Sequence, residues 1–469
     1  MNTCTLFING DRLSGQADAF SVINPATEQP FAQGQYASVE QLDQAVAAAR
    51  QAFTSWRQVP DAERTALLHK IADAIEANAD ELARIIVQEQ GKPLFLAQVE
   101  VGGAVAWTRY NADLEIPVEV IEDSEHKRVE GHRKPLGVVA SITPWNWPLM
   151  IAIWHIIPAL RTGNTVVCKP SGLTPLNTLR LVELINEALP AGVVNLVTGE
   201  REIGEAISRH AAIDKVIFTG STPTGQNIMS NAAGNLKRLT LELGGNDAAI
   251  VLPGTDIDAV AEGIFQSAFL NMGQTCAALK RLYVHDSLHD ALCDKLAALS
   301  EAQVLDNGLN EGVTFGPVQN ARQLGVVSEL VEDARAQGAR ILCGGQALER
   351  DGYFYPPTIV TDVSNGIRLV DEEQFGPALP VIRYQDLDEA IAMANDCGYG
   401  LGGSVWGPDL EQANQVARQL ECGTVWINGH AEVLPHVPFG GCKLSGMGVE
   451  FGIDGLLEYT QLQIINCNR

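Results

Sequence analysis

Between residues 136 and 245 the chain alternates short apolar runs with longer segments of helical character, and this rhythm limits the fold more than any other feature. The apolar runs are LGVVASIT (136–143), NTVVCKP, GVVNLVTG, DKVIFTG and KRLTLELGG. Between them lie PLMIAIWHIIPALRTG, TPLNTLRLVELINEALP, EREIGEAISRH and STPTGQNIMSNAAG. Strand-length runs set between helices predict a parallel sheet with helices on its faces. Right-handed crossovers then bring all five strand C-termini to one edge, where ligands of open α/β sheets bind. After Gly245 the rhythm restarts with DAAIVL, a helix from Asp256, RLYVHD, ARILCGG, TIVTDV, ALPVIRY, GGSVWG and GTVWIN. That is a second α/β unit.

The first hundred residues read as helical. SVEQLDQAVAAARQAF starts at a capping residue, Ser38, and a long stretch from Asp61 ends at Gly91 before Pro93. Residues 115–134 are extended and charged, an excursion from the main body. The tail EYTQLQIINCNR alternates weakly and reads as a strand that pairs with this excursion or with another subunit. A chain of 469 residues is too long for one core and predicts two or three domains.

Composition removes several function classes. The formal net charge is −25, and the densest basic segment, HKRVEGHRK at 126–134, reads as a solvated hairpin face. An acidic surface repels nucleic acid and anionic lipid, so neither is expected as a partner. No run reaches the roughly 20 apolar residues that span a bilayer. The N-terminal MNTCTLFINGDRLSG lacks the basic-then-apolar order of a secretory signal, and a cytoplasmic location is expected. The nine cysteines show no CxxC pair and no metal-ligand spacing, so reduced thiols and no metal site are expected.

The strand ends carry the chemistry. The first run ends in TPWNWP with Asn146, the second in CKPS with Lys169, the fourth in FTGSTPTG with Gly220 and Gly225, the fifth in LELGG with Glu242. An amide, an ammonium, a glycine-rich helix start and a carboxylate therefore share one rim. The glycine turn suits an anion, because backbone N–H groups and a helix N-terminus face it. It is neither a P-loop nor a GxGxxG fingerprint, and a plain tight turn is the competing reading. Cys276, in NMGQTCAALKR, stands among small residues that admit a substrate. A buried structural thiol is the competing reading there, and spacing alone does not decide between them.

Taken together the motifs resemble those of the aldehyde dehydrogenase superfamily. The likeness runs from INPATEQP at 23–30 to PFGGCKLSGMG at 438–448, with PWNWP, KPS, FTGST, LELGG, GQTC and EEQFGP in family order. The resemblance implies a Rossmann-type parallel-sheet cofactor domain (1–116 and 136–244) and an α/β catalytic domain (245–444). It adds a small β oligomerisation element (117–135 and 445–469), and a homodimer or homotetramer. It implies that Cys276 is the nucleophile, Glu242 the general base and Asn146 the oxyanion-stabilising amide. Lys169 matches the ribose-contacting lysine, Gly220 and Ser221 the pyrophosphate turn, Glu373 and Phe375 the nicotinamide contacts, and Trp145 the cleft lining. Thr143, Pro144, Ser171, Gly225, Leu243 and Gly244 complete the expected cofactor set, for NAD with NADP left open.

Three positions depart from the family pattern. Gly172 stands where NAD-preferring members carry a ribose-gripping glutamate, although no Arg or Lys lies within two residues of it. CAALKR replaces the usual small residue, glycine and arginine after the nucleophile. Asn246 follows LELGG at a variable position. Trp147, Met150, Trp154 and Phe269 suggest an apolar tunnel, or else helix core, so the expected substrate is an apolar aliphatic or aromatic aldehyde. A semialdehyde dehydrogenase is the nearest alternative. A CoA-acylating dehydrogenase, a cysteine hydrolase or acyltransferase and a non-catalytic binding protein are further ones. A hydrolase would pair Cys with His, and nothing in the sequence marks His155, His285, His430 or His436 for that part.

Overall fold

Four of the five apolar runs become strands buried along their whole length, as β-branched segments covered on both faces should. They are Val138–Ile142, Thr165–Lys169, Val194–Leu196 and Lys215–Thr219; the fifth, Arg238–Glu242, starts exposed and ends buried. In this computed structural model, which describes residues 2–469, they pair in parallel in the spatial order fifth, fourth, first, second, third. Residue 1, where the first expected domain begins, lies outside the described residues. The chain leaves the central first strand in one direction and returns on its other side. A crevice therefore opens beside that strand's C-terminal end, the switch point of a doubly wound sheet.

The N-terminus differs from the helical expectation. Residues 2–35 form five short strands, two of which, Leu6–Ile8 and Asp11–Leu13, extend the first sheet as an antiparallel hairpin. Three-residue strands are too short to show a period, but Asn9-Gly10 carries the signal. Both residues have positive φ, 54° and 91°, as a two-residue turn of matching twist requires. From Ser38 onward the helices stand as expected. Ser38 and Gln41 form a reciprocal capping box on the helix Val39–Trp56, and Gly91 ends Ala79–Gln90 in the left-handed region. The long stretch from Asp61 is two helices, Asp61–Ala77 and Ala79–Gln90, parted at Asn78.

The second unit is a seven-stranded sheet. Asp247–Val251, Leu279–His285, Thr358–Thr361, Ala378–Tyr384, Gly402–Trp406 and Thr424–Ile427 are parallel, with Arg340–Cys343 antiparallel at one edge. The excursion and the tail meet: Lys127–Pro135 lies between Glu119–Asp123 and Thr460–Asn468 in an antiparallel sheet. Before reaching it, the tail lays Gly446–Met447 against Arg238–Glu242, sealing the edge of the first sheet beside Glu242. Among the described residues no helix is long and apolar enough to cross a membrane.

Candidate active site

The expected nucleophile and the expected oxyanion amide come from different sheets, and buried hydrogen bonds join their loops. Asn146 lies between the strand Val138–Ile142 and the helix Pro148–Arg161; Cys276 precedes the strand Leu279–His285. Asn146 Nδ2 donates to the Gln274 carbonyl at 3.0 Å, and Asn271 Nδ2 donates to the Asn146 carbonyl at 2.9 Å. Trp147 Nε1 donates to Thr275 Oγ1 at 3.0 Å. On the approach to Cys276 the backbone of Asn271, Met272 and Gly273 is left-handed, φ 53°, 59° and 67°. Such a run persists only where its surroundings hold it. Lys280, buried, does so by donating to the Gly273 carbonyl at 2.6 Å and to that of Gly376 at 3.0 Å.

A second buried lysine supports the amide. Lys92 Nζ donates to Glu100 Oε2 at 2.6 Å and to the Asn146 carbonyl at 3.0 Å, and lies 3.5 Å from the centre of the Trp147 ring. Glu100 Oε1 accepts from the N–H groups of Leu149 and Met150 at the start of the following helix. The loop bearing Asn146 is thus anchored on both sides.

Cys276 keeps a partly open face. Burial, and then the carboxylates of Glu242, Asp247 and Glu373, hold its thiol well above the ordinary range, with the Ala277 N–H pulling the other way. Glu242 is 3% exposed, yet among the described residues neither carboxylate oxygen has a hydrogen-bond partner. Burial and the neighbouring Glu450 raise its pKa, and burial pushes Glu450 up to about 8. A buried carboxyl without fixed partners can turn and exchange a proton with water; one locked by hydrogen bonds cannot. His430 spends Nε2 on the Ala277 carbonyl at 3.1 Å, and His155 sits between Ser141 and Thr219. His285 bonds Ser287 and His436 packs near Tyr110. These contacts give the sulfur no imidazole partner.

The expected cofactor residues line the same crevice. Thr143 and Pro144 follow the central strand, and the Thr143 hydroxyl is buried without a partner. Trp145 meets Phe375 edge to face across the two units, ring centres 5.4 Å apart. The Lys169 ammonium is buried and reaches only the carbonyl of the adjoining Pro170, at 3.2 Å. Ser171 forms the turn that follows, accepting from the Leu173 N–H. Ser221 precedes the helix Thr222–Ala232 and bonds Thr224 Oγ1 instead of capping the backbone. Gly220, ahead of it, donates its N–H to the Glu242 carbonyl. A Cβ on Gly225 would stand 2.6 Å from the Leu243 side chain, so a larger residue there would have to displace Leu243. A Cβ on Gly244 would stand 2.5 Å from Glu373 Oε2, and Glu373 accepts from the Gly245 N–H at 2.9 Å. Burial pushes Glu373 up to about 7. An unpartnered hydroxyl, an ammonium with one local acceptor and an uncapped helix start suit a dinucleotide laid across the strand ends.

Reading motifs missed Glu450, Lys92, Lys280 and Asn271. Only Lys280 carried a signal, as part of the departure after the nucleophile. Of the aromatic residues expected to line a tunnel, Trp147 clusters with Leu96 and Ile151, with Met150 and Trp154 against them. Phe269 packs instead against Phe265 in the core of the second unit. Its helix turns that face inward, so it lines no tunnel. Among the described residues no three His, Cys, Asp or Glu side chains are grouped to hold a metal ion.

The chain matches the model of the aldehyde dehydrogenase family over residues 13–465. It is similar to the phenylacetaldehyde dehydrogenase of Pseudomonas fluorescens, 41% identical with 97% of this chain and 94% of that protein covered. It is similar to aldehyde dehydrogenase 1A1 of Homo sapiens, 39% identical with 98% and 94% covered. Among solved structures it is similar to an NAD+ complex of aldehyde dehydrogenase from Bacillus cereus. There the TM-score is 0.96 and the identity 38%, with 99% of this chain and 96% of that one covered. The expected aldehyde dehydrogenase-like α/β fold is therefore the fold of this chain.

Proposed function

The chain belongs to the aldehyde dehydrogenase family, and from that premise we propose that it oxidises an apolar aldehyde to the carboxylic acid with NAD, through a thioester on Cys276. The observation that carries this reading is the joining of the Asn146 and Cys276 loops beside a buried carboxylate, Glu242, that has no partner.

Bound with its reactive ring near Glu373 and Phe375, the nicotinamide would supply the hydride acceptor. The remaining chemistry falls to this chain. Cys276 gives up its proton to water, and its sulfur forms a bond to the aldehyde carbon. The oxygen that becomes an alkoxide takes a hydrogen bond from Asn146 Nδ2 and from the Cys276 backbone N–H. When the adduct gives up hydride, its oxygen regains the carbonyl bond and a thioester remains. Glu242 accepts a proton from water, the resulting hydroxide adds to the thioester carbon, and the sulfur leaves as the carboxylic acid forms. Lys169, Ser171, Thr143, Pro144, Trp145, Gly220, Ser221, Gly225, Leu243 and Gly244 would hold the dinucleotide in this reading.

Cys276→Ala should abolish turnover. Glu242→Gln should release a burst of about one reduced cofactor per site and then stall, because acylation precedes the step that needs the base. Steady turnover at the unmodified rate in Glu242→Gln would overturn the base assignment. An apolar substrate is supported by the position of Cys276, which packs against the large apolar cluster that also holds Trp107, Phe439 and Phe451. It is also supported by the likeness to a phenylacetaldehyde dehydrogenase. Equal kcat/KM for phenylacetaldehyde and succinic semialdehyde would remove that part.

The division into a cofactor domain, a catalytic domain and an oligomerisation element belongs to the same proposal, as does a cytoplasmic homodimer or homotetramer. Exposed Leu462, Ile464 and Ile465 on Thr460–Asn468 and exposed Val120 and Ile121 on Glu119–Asp123 support self-association through that sheet. A monomeric mass by light scattering would refute it.

A further inference from the structure

The strand ends form a ruler along the crevice. In spatial order they present Glu242, Thr219, Thr143, Lys169 and, after Val194–Leu196, the turn Thr198–Glu200. Neighbouring strands lie about 4.8 Å apart. With the reactive ring beside Cys276 and the pyrophosphate on the helix Thr222–Ala232, the adenosine ribose falls over the last two strands. Dinucleotide sites that prefer NAD place a carboxylate there to accept from the ribose hydroxyls. On the turn after the second strand, Thr165–Lys169, this chain has Gly172, which has no side chain to do so.

The structure supplies a carboxylate from the neighbouring turn. The Tyr36 hydroxyl lies 3.1 Å from where a Cβ on Gly172 would stand, and it donates to Glu200 Oε1 at 2.9 Å. Glu200 precedes the helix Arg201–Arg209 without capping it, and the carboxylate is exposed on the rim. It is close enough to Lys169 for its charge to favour the ammonium. Among the described residues its other oxygen makes no hydrogen bond. Lys169 and Glu200 thus offer a donor and an acceptor on neighbouring strand ends. The adjoining Arg201, a guanidinium suited to a 2′-phosphate, is turned to Glu205 at 2.8 Å.

We propose that Glu200, oriented by Tyr36, is the residue that reads the adenosine ribose and sets the preference for NAD over NADP in place of a side chain at position 172. Its carboxylate accepts from the 2′-hydroxyl of NAD and repels the 2′-phosphate of NADP. This assignment rests on the rim being a dinucleotide site.

The test uses the full-length protein and fragments that carry no reactive ring: 5′-AMP and adenosine 2′,5′-bisphosphate, titrated by calorimetry. The unmodified protein should bind 5′-AMP more tightly. Glu200→Gln should weaken 5′-AMP by about tenfold or more, the loss expected for a hydrogen bond to a charged group, and should strengthen the bisphosphate. In turnover the ratio of kcat/KM for NAD over NADP should fall by a similar factor, mainly through KM. Tyr36→Phe should give a smaller shift in the same direction. Unchanged fragment selectivity in Glu200→Gln overturns the proposal, as does tighter binding of the bisphosphate by the unmodified protein, which would hand the site to Arg201. Glu200 is exposed, so neither result is confused with misfolding. Glu200-dependent selectivity in a protein inactive on every aldehyde would sink the proposed function and leave this assignment standing.

Discussion

The two ends of the crevice are built in opposite ways. At the chemical end the two loops are each fixed by at least two buried contacts: Asn146 by Lys92, Asn271 and Gln274, and the Cys276 approach by Lys280 and Gln319. At the adenosine end Gly172 brings no side chain, and Glu200 is exposed with its carboxylate held by the Tyr36 hydroxyl alone among the described residues. The difference follows from what each end must do. A reacting carbon has to be held to a fraction of an ångström beside a nucleophile. A ribose needs only an acceptor within reach, and several strand ends can provide one.

The sharpest way to break this comparison is at Lys92. Lys92→Met leaves Glu100 as an unpaired charge in a fully buried site, a change that costs about 3–5 kcal/mol. The expected outcome is a drop of several degrees in thermal midpoint, whereas Glu200→Gln should leave the midpoint within a degree. Equal midpoints for the two variants would mean that the chemical end is not the more firmly held. Next in size is Asn146→Ala, which removes one donor from the developing alkoxide and should lower kcat by about 10²–10³-fold with little change in the KM for NAD. A loss confined to KM would make Asn146 a binding residue and erase the contrast between the ends.

A smaller effect should appear as a pH dependence confined to the chemical end. Burial and neighbouring carboxylates raise both the Cys276 thiol and the Glu242 carboxyl. Both must lose a proton to act, so kcat/KM should climb with rising pH for the thiol, and kcat for the carboxyl, whose step follows acylation. Glu450→Gln takes away the second carboxylate and should move that rising limb to lower pH. Binding of 5′-AMP should not follow the same curve. A kcat and a kcat/KM that are both flat between pH 6 and 9 would show that neither group limits the reaction.

This contrast also explains what was legible in the sequence. Cys276, Glu242, Asn146, Lys169, Gly220 and Glu373 sit in short motifs because each stands at a strand end or tight turn, where local geometry restricts its neighbours. The parallel sheets were legible for the same reason: strands buried on both faces read as unbroken apolar runs. The supports were not. Lys92, Glu450 and Tyr36 reach the crevice from distant segments through single side chains, and only tertiary packing reveals the partner. The hairpin at Leu6–Leu13 escaped because its strands are three residues long, although Asn9-Gly10 announced the turn. Phe269 takes the second of its two readings: it neighbours the nucleophile loop in sequence, and its helix turns it into the core.

The smallest expected effect sharpens the comparison most directly. If the adenosine end needs one carboxylate and not a fixed one, Gly172→Glu in the otherwise unmodified protein should be nearly silent. An exposed charge added beside another contributes about 1 kcal/mol or less, so the NAD to NADP ratio should change by less than about fivefold. The new side chain would meet only the Tyr36 hydroxyl, at 3.1 Å, the end of a side chain that can shift. In the Glu200→Gln background the same substitution should restore most of the lost selectivity, because a carboxylate again faces the ribose from the neighbouring strand end. Restoration there together with silence alone would mean that two strand ends are interchangeable in reading the ribose. Failure to restore, with both proteins folded and binding 5′-AMP, would mean that the position of the carboxylate is as tightly specified at this end as at the other.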